Sequence, residues 1–434
     1  MKVAKFGGSS LADSSAVLRV IDIIQSDPSR RVIVVSAPGK RNPDDIKITD
    51  QLSNWRTQIH LGHTGNEAME AVYSRFFEIE KNLGVNIGIH TELLDIEERL
   101  KGGASYEYAV SRGEYLNGLL IAEALDFQFK DAADVIRVSN LEPVEHHVFT
   151  RPLKMVLKKN NLVIPGFYGQ GEDSTIRTFS RGGSDITGAL IASALNASEY
   201  ENWTDVLGMK MVDPRIVPKA VGIPEITFQE MRELSYMGFE VFHEEAMFPV
   251  WKSNLPVHIR STAEPNKLGT LITPNIDRAK RKYDIAGIAG KDGFTSLTFK
   301  KRLMNKEVGY VRKLLSVLER HQVSFEHIPG SIDTVSLIVE SEKLTAKKDL
   351  ILEEIDHECS PDSVTESQMA IISIVGIGIV RQVGIAAKIF SALSEAGVNI
   401  EMINQGSSEL NVIIGVKESD LKKAIKAIYH TFVA

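Results

Sequence analysis

VAKFGGSSLADSSAVLRVIDIIQSDPSRRVIVV, residues 3–35, carries three structural signals in succession. Val3-Ala4-Lys5-Phe6 predicts a short strand and Gly7-Gly8-Ser9-Ser10 a turn. From about Asp13, the apolar residues Ala16, Val17, Val20, Ile21 and Ile24 recur at helical spacing, with Asp13 or Ser14 as the N-cap. Arg31 to Val35 is then an almost unbroken apolar run, the pattern of a strand buried on both faces of a parallel sheet. Further strands are predicted at Asp134–Val138, Asn161–Ile164, Ile176–Phe179 and Glu201–Thr204, with helical stretches between most of them. Residues 1–280 therefore read as one α/β domain with a helical excursion at about 64–125.

The chain has 434 residues, a length that suits two or three domains. Fifty basic residues stand against 57 acidic ones, a net charge of −7. That balance argues against nucleic acid as a partner, which calls for clustered Lys and Arg. The single cysteine, Cys359, excludes a disulfide framework and a zinc–thiolate cluster. No apolar run reaches the 18 or so residues of a membrane span, and MKVAKFGGSS lacks the apolar core of a signal peptide. The expectation is a cytoplasmic protein without a membrane partner.

Near residue 278 the composition shifts. Arg278, Lys280, Arg281 and Lys282 read as a solvated linker. Beyond it lies an internal repeat: KLLSVLERHQVSFEHI from Lys313 and KIFSALSEAGVNIEMI from Lys388. At an offset of 75, Gly309/Gly384, Ser316/Ser391, Leu318/Leu393, Val323/Val398, Glu326/Glu401 and Ile328/Ile403 are identical pairs. Each copy reads strand, glycine, amphipathic helix, strand, turn, strand, with a closing helix at 344–355 or 419–430. Units of 281–361 and 362–434 are small, so their sheets should pair with each other or across a dimer.

Two Gly-Gly turns carry the chemistry. Lys5-Phe6-Gly7-Gly8-Ser9 joins the first strand to the first helix. Paired glycines let backbone amides approach an anion, and the lysine adds a point charge. The turn matches neither GxGxxG nor GxxxxGK[ST]. Arg181-Gly182-Gly183-Ser184-Asp185 repeats the arrangement before a helix expected over Ile186–Leu195. Arg181 there reads as a carboxylate or phosphate clamp, whereas Ser184 or Asp185 would also serve as a simple cap. Both turns can face the crevice beyond the strand ends of one sheet. Ser111-Arg112-Gly113-Glu114 is expected to open a helix, and Trp203-Thr204-Asp205 leads into Asp213-Pro214-Arg215. His146-His147 are adjacent and the other histidines scattered, so neither a protein-bound metal site nor a Ser-His-Asp triad is assigned.

Taken together, KFGGSS, SRGE, RGGSD, WTDV with DPR, and the tandem ending NIEMINQGSSE resemble aspartate kinase over the whole chain. The resemblance implies a three-layer α/β/α amino-acid-kinase domain followed by two βαββαβ ACT-type regulatory units, with no room for a fused homoserine dehydrogenase. It implies phosphorylation of the aspartate β-carboxylate by ATP with Mg²⁺, in lysine, threonine and methionine biosynthesis. Lys5, Gly7, Gly8 and Ser9 match the segment that cradles the ATP phosphates, and Lys5 and Asp185 the catalytic pair. Glu114 matches the carboxylate that holds the substrate ammonium, and Arg181 the clamp on a substrate carboxylate, with Ser184 beside it. Thr49 and Ser36 fall near the substrate. Thr204, Asp205, Lys210 and Arg215 match nucleotide contacts.

The chain departs from its relatives at Lys210, where they read tyrosine, and at Glu240 and His243-Glu244, where they read lysine followed later by His-Pro; Lys210 is expected to replace the missing cation. The resemblance further implies control by lysine, threonine or both, and a homodimer or homotetramer through the ACT-type units. The effector is expected near Tyr310, Glu326 and Ser331. Two other readings compete: a kinase of the same fold acting on glutamate, acetylglutamate, carbamate or uridylate, and a catalytically silent amino-acid sensor.

Overall fold

The computed structural model describes residues 1–139, 146–180, 182–239, 242–406 and 408–433, without the side chains of Glu244 and Lys280. Arg181 and Glu240 thus lie outside the described residues.

The opening βαβ unit forms as its pattern predicts. The strand Lys2–Phe6 pairs in parallel with Arg30–Val35 on one side and Glu199–Thr204 on the other. Between the first two runs the helix Ser14–Gln25, capped by the Asp13 carboxylate, which accepts from the Ala16 amide at 2.8 Å. Its buried stripe is Ala16, Val17, Val20, Ile23 and Ile24; Ile21 is only half-buried.

The sheet has eight strands, in the order Glu225–Thr227, Thr270–Thr273, Val257–Ser261, Glu199–Thr204, Lys2–Phe6, Arg30–Val35, Leu162–Pro165 and Gln128–Phe129. Among the described residues of this sheet, only the Val257–Ser261 and Thr270–Thr273 strands pair antiparallel. The chain moves from Lys2–Phe6 to Arg30–Val35 on one side and returns at Glu199–Thr204 on the other. Open α/β sheets bind ligands beyond the strand ends at such a switch of direction. Two predicted strands are corrected. Of Asp134–Val138 only Ile136–Arg137 is strand, because Ala132–Asp134 closes a 3₁₀ turn capped by Asp131. That strand and Ile176–Thr178 belong to a separate four-stranded sheet.

The helical excursion starts earlier than the expected residue 64 and, among the described residues, comprises four helices: Ile48–His60, Asn66–Leu83, Ile89–Lys101 and Tyr106–Leu125. They share one apolar core with the first helix through Leu52, Trp55, Val72, Phe76, Leu93 and Leu116. SRGE does not open a helix but lies well inside the last of these. The start is set earlier by Ser105, whose hydroxyl accepts from the Tyr108 amide at 3.1 Å.

One buried charge ties the central strands together. Glu201 is 0% exposed and accepts from Arg30 Nε at 2.6 Å, Lys2 Nζ at 3.1 Å, Arg260 Nη1 at 3.4 Å and the Trp203 indole at 2.8 Å. Burial opposes its ionisation, but the Arg30 hydrogen bond and charge outweigh burial and hold the carboxyl below its ordinary value.

A second compact unit comprises residues 210–221, 229–239 and 277–434. Its antiparallel sheet has the order Thr334–Glu340, Gly287–Lys300, Ser363–Val375, Asn411–Val416, Met402–Asn404. The sheets of the two repeats do pair with each other, and they share their long strands. Residues 294–300 pair with 363–369, and 287–291 with 371–375. Each copy is thus completed by a segment from the other copy's half of the sequence. Gly309 and Gly384, equivalent in the repeat, precede the helices Tyr310–Arg320 and Ile385–Glu395 with φ of 84° and 94°. Those values favour glycine at both. In the first copy the middle strand is reduced to bridges at His327 and Gly330, flanking Pro329, which has no N–H to donate. The stretch at 278–282 is exposed at Arg278 and Lys282, as expected of a solvated segment, but two of its arginines are also bonded. Arg278 donates to the carbonyls of Gly378 and Val380, each at 2.7 Å, and Arg281 to Glu230 at 2.5 Å.

Glu201→Gln removes one partner from a buried charge cluster, which costs about 3–5 kcal/mol. Chemical denaturation followed by tryptophan fluorescence should show that loss; a parent-like midpoint would mean that the cluster does not hold the sheet.

Candidate active site

Lys5 stands at the end of the first strand, 8% exposed. Its Nζ lies 2.6 Å from Asp185 Oδ1 and donates to Asn202 Oδ1 at 3.4 Å. Asn202 Nδ2 donates to the same Asp185 oxygen at 3.1 Å, and the Tyr200 hydroxyl donates to the Asp185 carbonyl at 3.2 Å. Parallel pairing sets Lys5 beside Asn202 in register. Asp185 is therefore more than a helix cap. The helix, found at Gly183–Ala194, begins one turn earlier than expected and has no side-chain cap. Its entry residue, Gly182, has φ 74°, and a Cβ there would come within 2.7 Å of the His243 side chain.

The first glycine turn is pinned by backbone contact. The Gly7 amide donates to the Trp203 carbonyl at 3.0 Å and the Gly39 amide to the Gly8 carbonyl at 2.8 Å. A Cβ on Gly39 would lie 2.6 Å from the Gly8 carbonyl carbon, so the two loops touch as bare backbone. Gly8 and Ser9 open the 3₁₀ turn Gly8–Leu11, and first-turn amides have no acceptor within such a turn. Ser9 is exposed.

Lys5, Ser36, Thr49, Glu114, Gly182, Gly183, Ser184 and Asp185 line one cavity of about 410 Å³, together with Lys47, Asp50, Phe167 and Ser180. Glu114 is 5% exposed and its Oε2 has no hydrogen-bond partner. Burial pushes its carboxyl up to about 8, against the pull of the Ala37 amide. A buried carboxyl that lines a cavity and keeps one oxygen without a partner suits an ammonium group, and the Lys5 cluster with the Gly8–Ser9 amides suits phosphate oxygens. Ser36 is held from behind: Asn117, fully buried, donates to its carbonyl at 2.7 Å.

Thr204 and Asp205 end the neighbouring strand, the Thr204 hydroxyl donating to the Asp205 carboxylate at 3.1 Å. Lys210 and Arg215 belong to the second unit, where Arg215 pairs with Asp213 at 2.7 Å. Of the expected effector residues, Tyr310 sits in the first repeat's core, its buried hydroxyl without a partner. Glu326 accepts from the Tyr236 hydroxyl at 2.5 Å, and Ser331 is exposed at a turn. Arg112, in the SRGE segment, is stacked against the rings of Tyr108, Tyr115 and Tyr168 at 4.5, 4.6 and 5.2 Å. Sequence reasoning missed Asn202 and Asn117. The signal for Asn202 was a carboxamide in an otherwise buried strand beside the lysine.

An amino acid kinase family model matches residues 1–261 and an ACT domain model residues 372–432. Aspartokinase 3 of Bacillus subtilis is 38% identical, the alignment spanning 100% of this chain and 99% of that protein. The crystal structure of Clostridium acetobutylicum aspartate kinase superposes with a TM-score of 0.90 at 46% identity, over 100% of both chains. Escherichia coli aspartokinase III superposes at 0.73 and 27% identity. One of its structures is a complex with aspartate and ADP (99% of both chains), the other with lysine and aspartate (100% of both). The chain thus belongs to the amino acid kinase family and, within it, to the aspartokinases.

Glu114 leaves a pH signature. Below about 4.5 its proton is bound in both folded and unfolded chains; between 4.5 and 8 only the folded carboxyl retains it. Stability of the ligand-free protein therefore falls as pH rises through that window and levels off above it. Glu114→Gln lacks this fall, so its melting temperature should gain on the parent's towards pH 8. Parallel melting profiles would contradict the burial of an uncompensated carboxyl.

Proposed function

We propose that this chain transfers the γ-phosphoryl group of ATP to the β-carboxylate of L-aspartate, giving 4-phospho-L-aspartate, the first step towards lysine, threonine and methionine. The observation that carries the reading is one cavity lined by both the Lys5–Asp185 pair and the buried Glu114 carboxyl, whose Oε2 has no hydrogen-bond partner. In this reading Glu114 receives the substrate ammonium, and ionises as it does so. Ser184, Ser36 and Thr49 bound the substrate, with Arg181 assigned to a substrate carboxylate by family resemblance. The β-carboxylate is already ionised near neutral pH and needs no general base. The residues' work is then to position it and neutralise phosphate charge, through Lys5 and the Gly8–Ser9 amides.

Asp185 and Asn202 hold Lys5 in place for that task. Thr204 and Asp205 lie on the same rim for the nucleotide, and Lys210 and Arg215 are assigned to it by resemblance. Among the described residues no group of three His, Cys, Asp or Glu side chains forms a metal site. Magnesium is assigned to the nucleotide by family resemblance, where it would neutralise phosphate charge. Lysine is the proposed effector, as suggested by the E. coli complex with lysine, with Glu326 as the acceptor for its ammonium. Met402–Asn404 is an edge strand of the second unit's sheet, a position that suits pairing of ACT-type units between subunits.

Lys5→Ala should lower kcat by about 10²–10³-fold, the range for loss of one preorganised charge-stabilising group, with little change in KM for aspartate. Glu114→Ala should raise KM for aspartate more than KM for ATP. ADP release measured with aspartate, with glutamate and without acceptor checks both. A near-native kcat in the lysine variant removes Lys5 from phosphoryl transfer, and turnover indifferent to the acceptor overturns the substrate assignment.

A further inference from the structure

The helical excursion sends one charged side chain deep into the rim of the site. Arg75, on the helix Asn66–Leu83, is 4% exposed. Its Nη1 donates to the carbonyls of Ala12 and Gly39, each at 3.0 Å, and its Nη2 to Asp45 Oδ2 at 2.6 Å. Ala12 follows the 3₁₀ turn Gly8–Leu11 directly. Gly39 belongs to the loop after the second strand, and its amide is the one bonded to the Gly8 carbonyl. Asp45 lies further along that loop, before Lys47 and Thr49 of the cavity lining, and also accepts from the Arg41 amide at 2.9 Å and Arg41 Nε at 3.1 Å. One guanidinium therefore joins both rim loops at three points.

We infer that Arg75 is a positioning residue for phosphoryl transfer, holding the 7–12 turn and the 36–45 loop together so that the Gly8 and Ser9 amides stay aimed at the nucleotide phosphates. This rests on the placement of ATP proposed above. Gly8 and Gly39 meet as backbone, joined by the 2.8 Å hydrogen bond; the Ser36 amide bonds the Phe6 carbonyl at 3.1 Å at the strand ends, and the Arg75 clamp ties the two loops further along. Arginine suits the task because its planar fork bonds several fixed acceptors at once; a lysine ammonium lacks that fixed geometry. Displacing a positioned group by an ångström is enough to cost about 10²-fold in rate.

The test compares full-length R75A and R75K with the parent, at a temperature where circular dichroism shows all three folded. R75A is expected to lose about 10²-fold in kcat/KM for ATP while KM for aspartate holds. Millimolar guanidinium should restore part of that loss in R75A and leave the parent unchanged, and R75K should fall between the two. Parent-like ATP kinetics in folded R75A would overturn the role. So would a loss that falls equally on both substrates and ignores guanidinium, which is what a purely structural residue gives. If the parent itself fails to turn over ATP with aspartate, the functional reading fails instead. Hydrogen exchange of the ligand-free proteins still reads Arg75 in that case. Faster exchange of residues 7–12 and 36–45 in R75A supports the clamp, and unchanged exchange overturns it.

Discussion

The parallel pairing of Lys2–Phe6 between Arg30–Val35 and Glu199–Thr204 is the constraint on which the rest depends. It brings three strand ends to one rim and sets Lys5 against Asn202. Because side chains alternate along a strand, the same pairing sorts charge onto two faces. Lys5 and Asn202 turn to Asp185. Lys2 and Glu201, one residue out of phase with them, turn the other way and join Arg30 and Arg260 around Trp203. One face stabilises the sheet and the other presents a cation to the cavity. A slip of one residue would exchange them.

What was legible in the sequence was local. The apolar run Arg31–Val35, the helical spacing behind Asp13 and the paired glycines each report on their own neighbourhood, and all three formed where expected. The 75-residue repeat was legible because two copies of one pattern confirm each other. What escaped was long-range. Asn117 and Arg75 look like ordinary polar helix residues until the fold sets them behind Ser36 and Gly39. SRGE resembled a helix start because its polar residues suit one, yet Ser105 had already capped that helix. The crossed sheet of the repeats depends on the register of two long strands more than 60 residues apart, which no local pattern encodes.

The strand Glu225–Thr227 belongs to the eight-stranded sheet, and the helix Phe228–Tyr236 that follows it runs into the second unit. There Glu230 accepts from the Ile377 amide at 2.7 Å and Glu233 from Asn411 at 2.6 Å. Tyr236 donates to Glu326. Three contacts from one short helix thus reach both repeats. An effector acts only to the extent that it binds two arrangements unequally.

The central claim is that the cavity between Lys5 and Glu114 makes an acyl phosphate on the aspartate side chain. Hydroxylamine attacks such a mixed anhydride and leaves a stable hydroxamate. Incubating the protein with ATP, magnesium, aspartate and hydroxylamine should give aspartate β-hydroxamate in step with ADP, and neither product without aspartate. ADP formed with no hydroxamate would contradict the account, as would hydroxamate formed equally well on glutamate.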